Sequence, residues 1–210
     1  MQKESILLVG AGGHARACID VIEQEDRFVI AGLVGLAREV GNRVLGYPVL
    51  GTDDDLPSLV GAYASALVVS GQIKSPDLRI RMFQMLKDCG FQLPCIISPR
   101  AYVSRHASLG EGTIVMHGAV VNAGASIGSN CIVNSHALIE HDVKVGDHCH
   151  ISTAAILNGD VWVGAGSFVG SNACVRQGLR IGERCMVKMG EKVIADLEAH
   201  AEDASAGYSE

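Results

Sequence analysis

The second half of the chain repeats with a period of six. Sampling every sixth residue from Ile97 gives Val103, Leu109, Val115, Val121, Ile127 and Val133, and then Ile139, Val145, Ile151, Leu157 and Val163. The series closes with Val169, Val175, Ile181, Val187 and Val193, seventeen aliphatic residues without a break. Such a run lies far outside chance and marks a structural repeat. Two residues before most of these lies a second series of mostly small residues: Ala101, Ala107, Thr113, Ala119, Ala125, Cys131 and Ala137, continuing to Cys185. Residues two apart share one face of a strand, so each hexad reads as a short strand with a large and a small inward side chain, followed by a corner. Aliphatic-glycine pairs recur at Leu109-Gly110, Ile127-Gly128, Val145-Gly146, Val163-Gly164 and Ile181-Gly182, 18 residues apart. Three hexads therefore return the chain above its starting point, and five-plus coils at strand spacing make a prism on the order of 25 Å tall. No register slip interrupts the repeat, so no loop is inserted. Periodicity alone does not set the hand of such a coil.

Residues 5 to 95 do not follow this period. They alternate apolar strand signals, Ser5 to Gly10, Phe28 to Val34 and Ala66 to Ser70, with helix signals at Ala15 to Gln24 and Pro76 to Cys89, the latter with Pro in its first turn. The pattern predicts a small Rossmann-like α/β unit over residues 1–95, joined to an all-β coil over 96–196. Between the first strand and helix runs Gly10-Ala11-Gly12-Gly13-His14, a glycine turn that can turn backbone N–H groups and a helix dipole toward a phosphate. A dinucleotide site also wants an acidic residue near the end of the second strand, and Ala31-Gly32-Leu33-Val34-Gly35 has none. A nucleotide-sugar diphosphate and a purely structural turn therefore stand ahead of nicotinamide.

Composition narrows the function. Aromatics are 4% of the chain against 25 glycines, so the core is aliphatic and packed close to backbone. A net charge of -6 with scattered Lys and Arg argues against a nucleic-acid partner. No stretch reaches the roughly 18 apolar residues of a membrane span, and the N-terminus lacks the pattern of a signal peptide. Seven cysteines without a C-x-x-C pair fit reduced thiols and a cytoplasmic protein. Cys131, Cys149 and Cys185 share one inward column and read as small core residues. Trp162 and Phe168, on the coil surface, are expected at a subunit interface. Residues 197–210, rich in Ala, Ser and acids, are expected to be disordered.

One corner stands out. His141 lies two residues past inward Ile139, with Ala123 one coil below and Gly159 one coil above, which leaves room for a ligand. A histidine titrates near neutrality, so His141 could take a proton from an attacking amine or hydroxyl while Asp142 stabilises the imidazolium. A corner histidine exposed by chance is the plain alternative.

The glycine turn followed by the aliphatic hexads, together with Asn134-Ser135-His136-Ala137-Leu138-Ile139-Glu140-His141-Asp142 and His150 nine residues after His141, is similar to the sialic-acid O-acetyltransferase and bacillosamine-pathway N-acetyltransferase family of hexapeptide acyltransferases. The resemblance spans residues 5 to about 195. It implies a left-handed parallel β-helix, a homotrimer with sites between subunits, and acetyl-CoA as acyl donor with no metal. It further implies His141 as general base, Asp142 as its partner, and acetyl-CoA contacts at His150, Gly159, Ser171 and Met189. The nucleotide sugar would be held by Gly12, Gly13, His14, Val34, Gly35 and Gly71, with Asn134 near the sugar.

Two departures from the family pattern bear on this. Val34-Gly35 stands where the family often has acidic residues that contact the nucleobase, and the closing Gly-x-Pro-Ala-Lys motif is missing. The expected reaction is acetyl transfer to the amino group of a UDP-linked 4-amino-6-deoxysugar in a surface-glycan or protein-glycosylation pathway, with O-acetylation of a sialic-acid-like sugar as the alternative. A zinc carbonic anhydrase shares the coil and would use His136 and His141, but its third ligand position is Arg100, and a cation there opposes a metal. A non-catalytic nucleotide-sugar sensor is the remaining class.

Overall fold

The computed structural model describes residues 3–199. Its first part is a five-stranded sheet in the order β3-β4-β2-β1-β5. The strands are β1 (Glu4–Val9), β2 (Phe28–Val34), β3 (Arg43–Val44), β4 (Tyr47–Gly51) and β5 (Ser65–Val68). The helices are α1 (Gly13–Glu25), the single turn α2 (Leu56–Leu59) and α3 (Asp77–Cys89). β1, β2, β4 and β5 run parallel, so the glycine turn after β1 and the segment after β5 lie side by side at the carboxyl ends of the strands. In doubly wound sheets this is where ligands bind. Pro76 is the N-cap of α3 rather than a first-turn residue. The β3-β4 hairpin was not expected. Its two-residue turn, Leu45-Gly46, has positive φ at both positions (47° and 92°) and lacks the Asn-Gly signal that usually announces such a turn.

From β6 (Ile96–Ile97) through β7 (Tyr102–Val103) and β8 (Ser108–Leu109) to β22 (Lys192–Val193), seventeen two-residue strands recur every six residues. The second residue of each is one of the seventeen aliphatics. The strands stack into three parallel sheets of six, six and five, the faces of a left-handed parallel β-helix. From Val115 onward every one of these aliphatics is buried, and the small series beside them packs into the same core. Each fully buried Val, Leu or Ile contributes roughly 1.5–3 kcal/mol, so the repeat itself supplies the driving force for the coil.

Two backbone requirements explain the corners. Every sixth residue from Gly112 to Gly190 has a left-handed φ, and these positions hold Gly, Asn, Asp and His in twelve of fourteen cases. Those residue types tolerate that conformation best. At one corner in three the next coil comes so close that only glycine fits: a Cβ on Gly146 would lie 2.7 Å from the Ala165 amide nitrogen. This is why the aliphatic-glycine pairs recur every 18 residues. Inside that corner Thr113, Cys131, Cys149 and Ser167 each donate to a glycine carbonyl, from Gly128 to Gly182 in turn. Cys131 and Cys149 of the inward column are thus buried thiols in a hydrogen-bonded core ladder.

The three faces differ outside. The face beginning with β6 presents Ile96, Ile114, Ile132, His150, Phe168 and Met186, and its first three residues pack into the core beneath α1. The face beginning with β7 presents Tyr102, Val120, Leu138, Ile156 and Cys174, and the face beginning with β8 presents Ser108, Ser126, Lys144, Trp162 and Arg180. Only the first is covered by the chain's own α/β unit. Residues expected to be disordered from 197 on begin with a pairing instead. Leu197 bridges Ile181 and packs against the coil core, because the open edge of the last coil offers unpaired backbone groups. Residues 200–210 of that expectation lie outside the described residues.

Candidate active site

His141 and Asp142 occupy the edge between the second and third faces. Asp142 takes the left-handed corner conformation (φ 62°), and its Oδ2 lies 2.9 Å from His141 Nδ1. A carboxylate only accepts, so Nδ1 carries the hydrogen and the Nε2 lone pair is left free. The Asp142 hydrogen bond raises the His141 pKa above its ordinary value. Slight desolvation opposes it, and the fields of Asp142, Glu140 and Asp160 reinforce it. The imidazole is well exposed, its side chain 66% accessible. Gly159, one coil above, leaves room for the ring in this position: a Cβ there would lie 2.6 Å from Nε2. A cleft of about 220 Å³ opens over His141, lined also by Gly159, Asp160, Gln177 and Gly178. Trp162, with the Arg180 guanidinium 5.8 Å from its ring centre, lines a smaller cleft next to it.

The glycine turn lies elsewhere. Gly12 caps α1 without a side-chain hydrogen bond, and nothing lies within 4 Å of where a Cβ on Gly12 or Gly13 would be. Gly12 and Gly13 are exposed, so the start of α1 opens to solvent there. Gly10 (φ 116°) packs on Ser70, and Gly71 packs on His14. From Ser70 to Gln72 the chain crosses as a strap from the α/β unit to the coil. The Gln72 carbonyl accepts from His150 Nδ1 at 2.6 Å, and Gln72 Nε2 donates to the Gly166 carbonyl at 3.2 Å. His150 thus points away from the coil axis but is buried under the strap. Its Nε2 accepts from Asn134 Nδ2 at 3.1 Å, and Phe168 stands edge-on to its ring. Phe168, expected at a subunit interface, instead packs against its own chain. The reason is that Phe168 stands one coil above His150 on the same face, so the two rings meet.

Burial pushes the His150 pKa down to about 4, and burial with the fields of His150 and Arg79 does the same to His14. Both rings are neutral at physiological pH. Ser171, on the edge between first and second faces, shares a 3.0 Å hydrogen bond with Ser152, while Met189 near the top of that edge is 81% exposed. Val34 is buried at the end of β2 and Gly35 follows it half-buried.

The candidate residues therefore fall into two groups. His141, Asp142 and Gly159 lie on one edge. Gly12, Gly13, His14, Gly71, Asn134, His150, Ser171 and Met189 lie at the turn, the seam or the neighbouring edge. The edge of His141 is opposite the covered face, so the width of the prism separates the groups in one chain. His136 and His141 sit on different edges, and among the described residues no three His, Cys, Asp or Glu side chains are grouped to hold a metal ion.

Two further residues, one beside the end of β2 and one at the seam, escaped the sequence. Glu39, from the 3-10 turn after β2, folds back so that its Oε2 accepts from the Leu36 amide at 2.8 Å, bringing a carboxylate against Gly35. A carboxylate that the end of β2 itself lacks is thus placed beside it from four residues beyond Gly35. Arg79, in the first turn of α3, is buried at the seam. A lone Arg between apolar residues gave no signal of that.

Residues 5–86 match the PglD N-terminal domain family, and residues 106–141 match the bacterial transferase hexapeptide (six repeats) family. Among solved structures, a His-to-Asn variant of perosamine N-acetyltransferase from Caulobacter crescentus in complex with CoA and GDP-perosamine is 35% identical. That alignment covers 92% of this chain and 90% of that one, with a TM-score of 0.87. The acetyltransferase domain of PglB from Neisseria gonorrhoeae, in complex with acetyl coenzyme A, is 30% identical over 94% of both chains, with a TM-score of 0.85. WeeI from Acinetobacter baumannii, 21% identical over 93% of this chain and 94% of its own, shares the fold at a TM-score of 0.82. A search of curated proteins gave no match.

Proposed function

The chain belongs to the hexapeptide-repeat acyltransferases, in the group that holds the perosamine and PglB N-acetyltransferases, and from that membership we propose that it transfers acetyl from acetyl-CoA to the amino group of a nucleotide-linked 4-amino-6-deoxysugar. The observation that carries this reading is the exposed His141, its Nδ1 held by Asp142 and its Nε2 free over the cleft. The amine nitrogen attacks the thioester carbonyl carbon and the C–N bond forms. His141 Nε2 takes the amine proton, the C–S bond breaks, and the proton passes to the leaving thiolate. The thioester is already activated, so the enzyme's task is to position two substrates and accept one proton.

His150, Gly159, Ser171 and Met189 are proposed to line the acetyl-CoA path. Gly12, Gly13, His14, Val34, Gly35, Gly71 and Asn134 are proposed to hold the nucleotide sugar, its diphosphate on the open start of α1. Because the glycine turn and His141 lie on opposite sides of the prism, the complete site would be built between chains. The half-buried apolar column Val120, Leu138 and Ile156 supports a homotrimer that closes it. UDP is the nucleotide proposed from the sequence, and the GDP-perosamine bound to the Caulobacter enzyme makes GDP the competing reading.

The test is CoA release from acetyl-CoA in the presence of a UDP-linked 4-amino-6-deoxysugar or of GDP-perosamine. Release that requires one of these sugars is expected. Release with neither overturns the function. Light scattering that gives a monomer, with activity intact, overturns the shared site.

A further inference from the structure

Arg79 is 1% exposed, and among the described residues no carboxylate pairs with it. Its guanidinium is held by neutral oxygens alone. Nη1 donates to the carbonyls of Val68 at 3.2 Å and Ser70 at 2.5 Å, at the carboxyl end of β5. Nη2 donates to Asn130 on the coil, to its carbonyl at 3.0 Å and its Oδ1 at 2.7 Å, and Asn130 Nδ2 returns a bond to the Arg79 carbonyl. Nε is buried and has no partner. The ionisable groups that the guanidinium's field reaches are the thiols of Cys18 and Cys131 and the imidazoles of His14, His148 and His150, none of them a carboxylate. Burial pushes the Cys18 thiol up to about 12, whereas at Cys131, against its burial, hydrogen bonds from Cys149 and the field of Arg79 draw the thiol down. Cys131 Sγ nevertheless donates to the Gly146 carbonyl, a bond that only the protonated thiol makes. Burial lowers the pKa of Arg79 itself only to about 10, so it is a cation at neutral pH.

A buried charge without a counter-ion is costly. Where such a charge sits decides what could offset it. Nη1 binds Ser70, and Ser70 is the residue on which Gly10 packs, 2.9 Å from its amide nitrogen to where a glycine Cβ would be. Gly10 opens the turn that leads through Gly12 to the uncapped start of α1. The guanidinium therefore lies one residue layer beneath that turn, and its field reaches His14 in the first turn of α1. No acidic residue occupies that first turn.

We propose that Arg79 is the buried counter-charge of the diphosphate subsite: it touches no phosphate, but it holds the strap against the coil and sets a positive potential under the glycine turn that the anionic substrate neutralises. This rests on the nucleotide-sugar reading above. An arginine suits the position because its planar fork bonds β5 and the coil at once while its charge stays on at neutral pH. Across one layer of protein interior a unit charge is worth on the order of a ten- to hundredfold change in the binding of a multiply charged anion.

The decisive variant is Asn130→Asp. It keeps the size of the side chain and the corner conformation, gives the guanidinium a carboxylate where Oδ1 now sits at 2.7 Å, and so cancels the free charge without removing the arginine. His148 Nδ1, 3.0 Å from the amide nitrogen, can donate to the new oxygen. Calorimetric titration of the full chain with UDP and with GDP, and separately with CoA, reads the effect. Asn130→Asp and Arg79→Met are expected to weaken the nucleoside diphosphate by about ten- to a hundredfold while CoA binding stays within about twofold, and Arg79→Lys is expected to retain most of the nucleotide affinity. Asn130→Asp gives up the Nδ2 bond to the Arg79 carbonyl while gaining an ion pair with the guanidinium, so a purely structural clamp predicts that nucleotide and CoA binding hold or move together. Nucleotide binding unchanged in Asn130→Asp, or CoA and nucleotide weakened alike, overturns the inference. A wild type that binds neither UDP nor GDP overturns the nucleotide-sugar reading and this inference with it.

Discussion

His141 and His150 lie nine residues apart on the same coil, yet the structure has moved their titration in opposite directions. His141 stands on an open edge with a carboxylate on Nδ1, and its pKa is raised. His150 lies under a strap with a carbonyl on Nδ1, and its pKa falls to about 4. Both have the same tautomer, since a carboxylate and a carbonyl each accept from Nδ1. The difference lies in whether water or a charge is present to stabilise the imidazolium. Only the exposed ring can cycle a proton near neutrality. The buried ring works as a fixed acceptor that orders Asn134. Residue type therefore does not assign the role on this scaffold; the face of the prism does.

The largest test of this contrast is His141→Ala. Loss of a general base costs about a hundred- to ten-thousandfold in kcat, with Tm unchanged because the ring is exposed and supports no packing. Steady-state kinetics beside a thermal melt reads both. Activity within a few fold of wild type would remove His141 from the reaction and with it the contrast.

The buried pair gives the next effect, and it is one of stability. In the unfolded chain both histidines titrate near 6.5, and in the fold near 4. Between those values the unfolded chain holds protons that the native state does not. Stability is therefore complete above about pH 6.5 and declines toward pH 4, by about 1.4 kcal/mol per pH unit for each histidine. Urea melts across that window measure the slope. His150→Gln should roughly halve it, and a slope that does not change would show that the seam is wetter than its geometry implies.

Gly159→Ala sharpens the contrast from the other side. The added methyl would lie 2.6 Å from His141 Nε2, so the ring must swing away. Because an exposed side chain moves rather than backbone, Tm should hold while kcat falls on the order of tenfold through misplacement of the base. A loss of Tm with kcat retained would place the strain in the coil instead.

How much of this could be read in the sequence follows the same division. The coil was legible because its signal is periodic: each inward aliphatic is fixed by the six-residue repeat, and each tight corner demands a glycine such as Gly146. The edge of His141 was legible for the same reason, since a residue's coil neighbours are 18 positions away. The seam was not. Its contacts join residues 72 and 150, or 79 and 130, by folds of irregular chain that no period announces. Glu39 shows the limit most simply, because a carboxylate reached the end of β2 from a turn, and reading along the strand could not find it. Asp142 shows a second limit. Asp160 takes the same left-handed corner one coil above, so backbone preference alone explains an aspartate there, and only its 2.9 Å contact with the ring distinguishes it.

Asp142→Asn isolates that contact. Asparagine accepts the left-handed corner, as Asn172 does at φ 56°, so the coil should be undisturbed. Without the carboxylate the chief cause raising the His141 pKa is gone, and the value should fall back toward the ordinary 6.5 or so. The reactive form is the neutral ring, so kcat/KM rises with pH through that pKa. The variant's acid limb must then move to lower pH, making it relatively more active than wild type on the acid side. On the plateau the loss should be only a few fold, because the amide can turn its NH2 toward Nδ1 and favour the tautomer with the hydrogen on Nε2, about tenfold at most for an exposed, solvent-screened partner. An acid limb that stays in place would mean that Asp142 serves the corner and not the base. A plateau loss far beyond tenfold would mean that a second chain buries the pair when the site closes, which is the condition under which an exposed carboxylate gains strength.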